Sequence, residues 1–338
     1  MTGPEAQPDT GAALLDVRDL RVEFHTRDGI AHAVNGVSYT VAAGQTLAVL
    51  GESGSGKSVT AQAVMGILDS PPGFVTGGEI LFQGRDLLRL GKEERRRVRG
   101  AKMAMIFQDA LSSLNPVLSV GAQLGEMFQV HEGMSRKEAR GKAVELMERV
   151  GIPAAGERVG DYPHQFSGGM RQRIMIAMAL ALAPDLIIAD EPTTALDVTV
   201  QAQVMDLLAD LRREYGMGLI LITHDLGVVA DVADTIAVMY AGRIVETAPV
   251  HQLYKAPAHP YTRGLLESIP RLDHKGRELY AIKGLPPNLT AIPPGCPFNP
   301  RCPLARDVCR TDLPPLYDVG PGRTSACHFW KETLDGAR

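Results

Sequence analysis

The sequence predicts an α/β protein with a mainly parallel sheet, an antiparallel β edge, a helical insert and an irregular C-terminal extension. Short apolar strands alternate with helical stretches through most of the chain, a pattern typical of parallel sheets. One strand runs directly into the Gly-rich loop GESGSGKS at 51–58. After about Pro257 the composition shifts to Pro, Gly and Cys, in which long helices and strands are scarce.

The first strands and the first helix follow from hydrophobic patterning. Residues 1–12 are polar and aperiodic and are predicted to form a flexible tail. Apolar and polar residues alternate over 14–41 with a break at 26–29, which predicts antiparallel strands joined by a turn. The uniformly apolar stretch 47–50 predicts a strand covered on both faces, followed by a helix over about 56–68.

The middle of the chain carries helical periodicity, which predicts a helical insert over about 109–183. Its helices are predicted at 121–130, 136–150 and 170–182. Strands are predicted next at 186–189 and 219–222, and a closing hairpin over 235–246. Three polar or glycine positions directly follow buried strands: Gly51, Asp190 and His224. Because ligands of parallel sheets lie beyond the carboxyl ends of the strands, we expect these positions to meet.

The bulk composition is that of a globular protein. The chain has 338 residues, of which 45% are hydrophobic, and its net charge of -4 argues against nucleic acid as the main partner. We interpret the basic run at 95–99 as a solvated helix face, with a contact to a nucleotide, lipid or partner as the alternative. The longest apolar run, 174–183, is too short to span a bilayer and predicts a buried helix. The N-terminus lacks a secretory signal, so we expect a cytosolic chain.

The loop at 51–58 fills every fixed position of the pattern G-x-x-x-x-G-K-[ST] and predicts a nucleoside triphosphate site. Its glycines let backbone N–H groups converge on phosphate oxygens at a helix start. Lys57 would reach the β and γ phosphates, and Ser58 would hold Mg²⁺. An ordinary Gly/Ser loop is the alternative, which the preceding strand disfavours. The nucleotide is expected to contact Gly51, Ser53, Gly54, Ser55, Gly56, Lys57, Ser58 and Val59.

Two acids, Asp190 and Glu191, follow the apolar strand at 186–189. The first is placed to hold Mg²⁺ together with Ser58. The second is the better candidate for orienting or deprotonating the water that attacks a phosphoanhydride. A helix N-cap is the alternative interpretation of such a pair, and the upstream phosphate loop disfavours it.

Three further segments accompany the loop and the acids. Residues 166–173 read FSGGMRQR, Gln108 follows one apolar run, and His224 follows another. With the Ala-Leu-Asp motif at 195–197 they complete six motifs whose order resembles the ATP-binding subunits of ABC transporters over residues 14–255. The resemblance implies a P-loop NTPase fold of ABC type for that range, with 256–338 as a separate extension.

The resemblance also implies a role for each motif. Glu191 would be the catalytic carboxylate, and His224 would contact the γ phosphate and the attacking water. Gln108 would contact Mg²⁺, beside Ser58 and Asp190, and would relay to membrane subunits.

The signature segment at 166–173 would act on a second subunit. Its centre keeps the family's residues, Ser167, Gly168 and Gly169, whereas Phe166 and Met170 depart from the commonest form. By resemblance, this centre binds the γ phosphate held by the partner subunit, so ATP would join two subunits with Asp197 at the seam. Phe24 is the candidate for stacking on adenine, with His25 as its rival and a core position as the alternative.

All four cysteines fall between 296 and 327: Cys296, Cys302, Cys309 and Cys327. Their context, GCPFNPRCPL at 295–304, and the HPYT segment at 259–262 resemble the C-terminal extension of the oligopeptide and dipeptide importer branch. In that branch the cysteines are associated with a [4Fe–4S] cluster. Four thiolates suit such a cluster or a closed zinc site, and absence of metal is a third option. The spacing alone does not decide among them, and the resemblance favours iron–sulfur.

The resemblance implies an ATPase subunit of a peptide importer, peripheral at the cytoplasmic face of the inner membrane. Its implied partners are a second ABC ATPase subunit, expected to form a heterodimer, two integral membrane permeases and, indirectly, an extracytoplasmic binding protein. Peptide, nickel and opine cargo all stay open, with peptides favoured. The alternative is a soluble ABC ATPase acting on nucleic acid or ribosomes, although no heptads or second nucleotide module occur. A small-molecule kinase would leave 167–172 and His224 unexplained.

Overall fold

The computed structural model describes residues 13–109, 113–194, 196–268 and 281–336. The predicted tail at 1–12 and Ala195 of the Ala-Leu-Asp motif lie outside these ranges. The strands are β1 (Leu15–Thr26), β2 (Gly29–Val41), β3 (Thr46–Leu50), β4 (Gly73–Phe82), β5 (Arg85–Asp86), β6 (Met103–Ile106), β7 (Leu186–Asp190), β8 (Gly218–Ile222), β9 (Thr235–Tyr240), β10 (Arg243–Pro249), β11 (Tyr317–Gly320) and β12 (Arg323–Ser325).

The described α-helices surround these strands. They are α1 (Lys57–Met65), α2 (Lys92–Val98), α3 (Val120–Glu132), α4 (Arg136–Arg149), α5 (Ala155–Arg158), α6 (Gly168–Leu180), α7 (Val198–Tyr215), α8 (Leu226–Val232), α9 (Val250–Lys255), α10 (Pro260–Glu267), α11 (Asp307–Thr311) and α12 (Trp330–Asp335). Among the described helices, none has the length and apolar character to cross a membrane.

The smaller sheet is antiparallel, with strand order β2-β1-β4-β5. Leu15 lies opposite Val41 and Thr26 opposite Gly29, which confirms the predicted strand pair and its turn. Strand β4 is not predicted by the sequence pattern. Gly77 and Gly78 interrupt its hydrophobic pattern, and glycines inside a strand weaken that signal.

The larger sheet has the order β11-β12-β10-β9-β3-β8-β7-β6. The five strands from β9 to β6 are parallel, which confirms the predicted mainly parallel sheet. The predicted strands at 47–50, 186–189 and 219–222 correspond to β3, β7 and β8, and the closing hairpin corresponds to β9 and β10.

The central strands are apolar throughout because both of their faces are covered. Alternate side chains of β3 fall in two different hydrophobic clusters, with Leu47 and Val49 in the cluster that includes β1 and β2. Ala48 and Leu50 belong to the cluster that includes the helical insert. Side chains along a strand point alternately to opposite faces, so a doubly covered strand loses the polar alternation of an edge strand.

The helical insert contains the three predicted helices, now α3, α4 and α6, with bounds that differ by at most two residues. Ser119 caps α3, and Ser135 forms a capping box with Glu138 at the start of α4. The apolar run that begins at Ile174 is buried in α6, as predicted. In contrast, α1 ends before the predicted Leu68 because Gly66 adopts a left-handed conformation and its N–H closes the helix.

The C-terminal extension has more regular structure than its composition predicts. Its hairpin of β11 and β12 continues the larger sheet, since Glu246 of β10 lies opposite Ser325 of β12. The basic run is only partly a solvated face. Arg96 and Arg97 of α2 are exposed, whereas Arg95 is half-buried and donates to the carbonyl oxygens of Leu88 and Leu90, both at 3.2 Å.

Glu246 joins the sheet to the extension. Its side chain is 0% exposed, and its two carboxylate oxygens accept the backbone N–H groups of Ala258 at 2.7 Å and His259 at 2.9 Å. The Arg323 guanidinium lies 3.9 Å away. Burial raises the pKa of Glu246 to about 7. The carboxyl group therefore fixes the backbone just before α10, and it attracts Arg323 at the start of β12.

We expect Glu246→Ala to lower the free energy of unfolding by about 2 to 5 kcal/mol, because two buried amide donors lose their acceptor. Urea denaturation followed by circular dichroism measures this change. Glu145→Ala is the matched control, since the Glu145 side chain is 64% exposed and pairs only with the neighbouring Lys142. Equal midpoints for the two variants would contradict the assigned role.

Candidate active site

The phosphate loop requires glycine at two positions for steric reasons. Gly51 has φ +155° and Gly56 has φ +100°, and a Cβ atom on either would lie 2.3 Å from a backbone oxygen, of Met239 and Ala33 respectively. Gly56 is also the N-cap of α1, in the left-handed region. The loop thus packs its backbone directly against neighbouring strands, which a side chain would prevent.

Lys57 lies inside the curve of this loop. Its side chain is buried, and Nζ donates to the carbonyl oxygens of Gly51 at 2.8 Å and Glu52 at 3.0 Å. Burial lowers the pKa of Lys57, while the carboxylates of Glu191, Asp190 and Glu52 act in the opposite direction. A positive charge in a buried loop is suited to the phosphate groups of a nucleotide.

Ser58 and Asp190 are in direct contact, as expected for shared metal ligands. The Ser58 hydroxyl donates to Oδ1 of Asp190 at 3.0 Å, across the gap between α1 and β7. Burial raises the pKa of Asp190, and the Ser58 hydrogen bond opposes that shift. A hydroxyl and a carboxylate are the oxygen donors that Mg²⁺ prefers, so the pair fits this cation.

Glu191 is the centre of a hydrogen-bonded group. Its Oε2 accepts from Nε2 of Gln108 at 3.0 Å and from Oγ1 of Thr194 at 2.9 Å, and its Oε1 lies 3.4 Å from Nδ1 of His224. Glu191 has φ +47°, and its N–H donates to the Ile222 carbonyl at 2.8 Å. A non-glycine residue held in this strained region is found preferentially at functional sites.

The residues predicted to hold the phosphates, Mg²⁺ and water therefore lie together at one edge of the sheet. Two contacts of Glu191, with Gln108 and with Thr194, were not expected. Gln108, expected to contact Mg²⁺, here bonds to Glu191. Thr194 was missed, and the hydroxyl three residues after Glu191 in DEPTT was its only signal. His224 lies two residues beyond the end of β8, and its side chain is 65% exposed, as a group that meets a ligand from solvent must be.

The signature segment lies at the start of α6. Ser167 is its N-cap, with Oγ accepting the Met170 N–H at 3.3 Å, and both Ser167 and Gly168 are exposed. Phe166 is buried beneath the Arg158 guanidinium, 4.2 Å from the ring centre, so the departure from Leu fills a core position. Within the described ranges, no hydrogen bond connects Ser167 with the phosphate loop.

The neighbouring helix explains the glycine of this segment. A Cβ atom on Gly169 would lie 2.7 Å from a methyl group of Val200, so α6 and α7 pack closely there. Asp197 caps α7, with Oδ1 accepting the Val200 N–H at 3.0 Å. The signature and the Asp197 loop thus form one surface.

The stacking of Phe24 on adenine stays a prediction, because no contact in the structure tests it. It is half-buried and packs against the core beneath the smaller sheet. Its rival His25 is exposed and lies 4.8 Å, between ring centroids, from Phe74.

The four cysteines line a single cavity, together with His259, Phe298 and Phe329. Burial, with a smaller contribution from the neighbouring cysteines, raises the pKa of Cys302 to about 11 and of Cys327 to about 12. Over the described ranges, no group of three or more His, Cys, Asp or Glu side chains is close enough to hold a metal ion. The cavity is therefore lined by four thiols together with the imidazoles of His259 and His328.

Comparison with known proteins agrees with this geometry. Residues 34–194 match the family described as ABC transporter, and residues 245–309 match the oligopeptide/dipeptide transporter C-terminal region. The oligopeptide transport ATP-binding protein OppD of Salmonella typhimurium is 52% identical over 320 residues, or 95% of each chain. The dipeptide transport ATP-binding protein DppD of Bacillus subtilis is 54% identical over 296 residues, or 88% of each chain.

A solved structure supports the fold. A dimeric ATP-binding cassette, MJ0796, bound to ADP and Pi, superposes with a TM-score of 0.63 at 26% identity, covering 70% of this chain and 98% of that one. The predicted ABC-type P-loop fold is therefore confirmed. From these matches and from the arrangement around Glu191, the chain belongs to the ABC transporter family, as an ATP-binding subunit of its oligopeptide and dipeptide branch.

Proposed function

We propose that this chain hydrolyses ATP to power the import of peptides across a membrane. The observation that carries the proposal is the Glu191 group, beside the Ser58–Asp190 pair and Lys57 at one edge of the sheet. The names of the relatives point to oligopeptides and dipeptides as cargo. No described feature favours the alternative of nucleic acid or ribosomes.

Each residue of the site has a definable task in hydrolysis. Lys57 and the loop amides would hold the β and γ phosphates. Ser58 and Asp190 would hold Mg²⁺, which supplies charge neutralisation at the phosphate oxygens when bound. Glu191 would orient the attacking water and accept its proton, with His224 beside it.

Gln108 would exchange partners during this cycle. In the structure its amide donates to Glu191, a bond that keeps the carboxylate occupied. To contact Mg²⁺ as the resemblance implies, Gln108 must turn from Glu191 toward Ser58 and Asp190. That movement would free a lone pair of Glu191 for water, so metal binding and activation of the base would occur together.

We propose that a second ABC ATPase subunit completes the ATP site. The exposed Ser167 and Gly168 amides at the start of α6 form an anion-binding helix end that faces solvent. The related cassette is described as a dimer bound to ADP and Pi, which supports pairing through this surface. The expectation of a heterodimer stays a prediction, as does the division into a domain at 14–255 and an extension at 256–338.

The membrane permeases are proposed to dock in an apolar groove beside Gln108. The groove has a volume of about 240 Å³ and contains Met65, Met105, Phe107, Met127, Met175 and Met178. Phe107 is 40% exposed there and precedes the residue that contacts Glu191. Methionine-rich surfaces adapt to apolar partners. Two such permeases would hold the chain peripherally at the inner face of the membrane, and they would receive cargo from an extracytoplasmic binding protein.

The four cysteines are proposed to hold an iron–sulfur cluster. Support comes from the position of all four cysteines around one cavity and from the match of residues 245–309 to the transporter C-terminal region. Because the described cysteines do not form a group close enough to hold a metal ion, they would have to approach one another to bind a cluster. Cys296, Cys302, Cys309 and Cys327 would be the ligands, and a cation would favour their thiolate forms.

Glu191→Gln should keep ATP binding and lower hydrolysis at least about 100-fold, because the amide cannot accept the proton of water. Phosphate release measures turnover, and size-exclusion chromatography with ATP should detect a trapped two-subunit assembly. Glu145→Gln, on the exposed face of α4, is the matched control. Rapid turnover by Glu191→Gln would remove the role assigned to this carboxylate.

Phe107→Glu should abolish co-purification with integral membrane permeases from detergent-solubilised membranes, because a charge would enter the apolar groove. Identification of the bound chains by mass spectrometry is the measurement. Leu316→Glu is the control, since Leu316 is 47% exposed and lies in the extension. Undiminished recovery of permeases with Phe107→Glu would exclude the groove as the docking site.

Cys302→Ser should abolish the visible absorption and the bound iron of protein purified anaerobically. Absorption spectroscopy and metal analysis of the same samples provide the comparison. The chain has four cysteines, all of which line the cavity, so each single substitution should give the same loss. A wild-type protein that contains zinc and no iron would overturn the assignment.

A further inference from the structure

The phosphate loop contains an acid, Glu52, directly after its first glycine. A carboxylate in a loop that binds a triphosphate opposes the ligand by charge repulsion. The Glu52 side chain is 27% exposed, so solvent screens this charge only in part. The loop therefore needs a compensating cation besides Lys57, which is engaged with backbone carbonyls.

That cation comes from the C-terminal extension. Arg301 donates to both carboxylate oxygens of Glu52, from NH1 at 2.6 Å and from NH2 at 2.9 Å. The Arg301 side chain is 5% exposed. Its Nε also donates to the Lys283 carbonyl at 3.2 Å, which fixes the plane of the guanidinium. This parallel two-point pairing restricts the position of Glu52 as well as its charge.

A second contact joins the same loop residue to the extension. The N–H of Glu52 donates to the hydroxyl of the buried Tyr261 at 2.8 Å. The Tyr261 ring lies 5.3 Å, between centroids, from Phe298, which lines the four-cysteine cavity. The carbonyl oxygen of Glu52 accepts from Nζ of Lys57 at 3.0 Å. The carboxylate, the N–H and the carbonyl oxygen of Glu52 are thus all hydrogen-bonded.

The position of Arg301 in the chain connects its pairing with Glu52 to the cysteines. Arg301 is the last residue of the 3₁₀ turn Asn299–Arg301, which lies between Cys296 and Cys302. Any change in how those two cysteines are held therefore acts on the turn that carries the guanidinium. The path from the cysteine cavity to the phosphate-binding Lys57 passes through Arg301 and Glu52.

We propose that Arg301 is a positioning residue for the ATP site, which neutralises and fixes Glu52 and so makes the affinity for ATP depend on the four-cysteine segment. The proposal rests on the ATPase function assigned above. The extension then acts as a structural part of the phosphate loop, and it favours nucleotide binding only when the segment 296–302 is ordered.

The test measures the dissociation constant of the full chain for Mg-ATP, together with KM and kcat. Arg301→Ala should weaken ATP binding about tenfold, the scale expected for an uncompensated unit charge near the phosphates. Glu52→Gln in the same chain should restore binding close to the wild-type value, since the repulsive charge is then gone. Arg301→Lys should be intermediate. Arg85→Ala, which removes an exposed pair between the smaller sheet and Glu94, is the control and should have no effect.

These variants separate positioning from a general loss of structure. A merely structural Arg301 would give a lower melting temperature and no rescue by Glu52→Gln, and that result would overturn the proposal. If Arg301→Ala fails to fold, Glu52→Gln alone decides, because the proposal requires it to tighten ATP binding. Unchanged or weaker binding by this single variant would also overturn the proposal. Lys57→Ala tests the ATPase function separately from the role of Arg301. An ATP affinity unchanged by this substitution would contradict the ATPase function itself.

Discussion

Confining several charges to one edge of a buried parallel sheet is the constraint on which this site depends. Asp190 is buried at the end of β7, and Glu191 follows it in a strained conformation. Two adjacent carboxylates of like charge are unfavourable in such surroundings unless each has its own partners. Ser58 bonds to the first, whereas Gln108 and Thr194 bond to the second. The acids thereby have separate partners, which fits their separate roles in the proposed function, one toward the metal and one toward water.

The extension contacts the ATPase core at two separate places, and these contacts bear on where the domain boundary lies. Glu246 organises the chain before α10 from inside the larger sheet, and Arg301 holds Glu52 of the phosphate loop. Cutting between residues 255 and 256 would leave Glu246 without its amide donors and Glu52 without its cation. The boundary at 255/256 stays a prediction, and these two contacts argue against mechanical independence of the two parts. An unpaired buried carboxylate costs several kcal/mol, so the two parts are expected to unfold together.

Local pattern predicted the central strands, the helices of the insert and the residues that meet around the phosphate loop, because phosphate-loop spacing and strand ends are short-range features. Gly51, Lys57 and Asp190 could be placed from the residues beside them. A long-range pairing could be predicted where both residues have a role in a motif, as for Ser58 with Asp190. Neither Arg301 nor Glu52, 249 positions apart, has such a role, so their pairing could not be predicted. The hairpin of β11 and β12 was missed as well, since its strands are short and gain their stability from β10. Thr194 lay within reach of sequence reasoning, but a single hydroxyl carries little signal.

Gln108 connects the groove proposed to dock the membrane permeases with Glu191. On one side it follows Phe107, which forms part of the methionine-lined groove, and on the other it bonds to Glu191. Phe107 and Gln108 share one peptide unit, so a partner that moves the backbone at Phe107 also moves the backbone that carries the Gln108 side chain. Under the proposed function, docking of a membrane subunit in the groove would therefore act on the bond between Gln108 and Glu191, and in this way it would couple hydrolysis to transport.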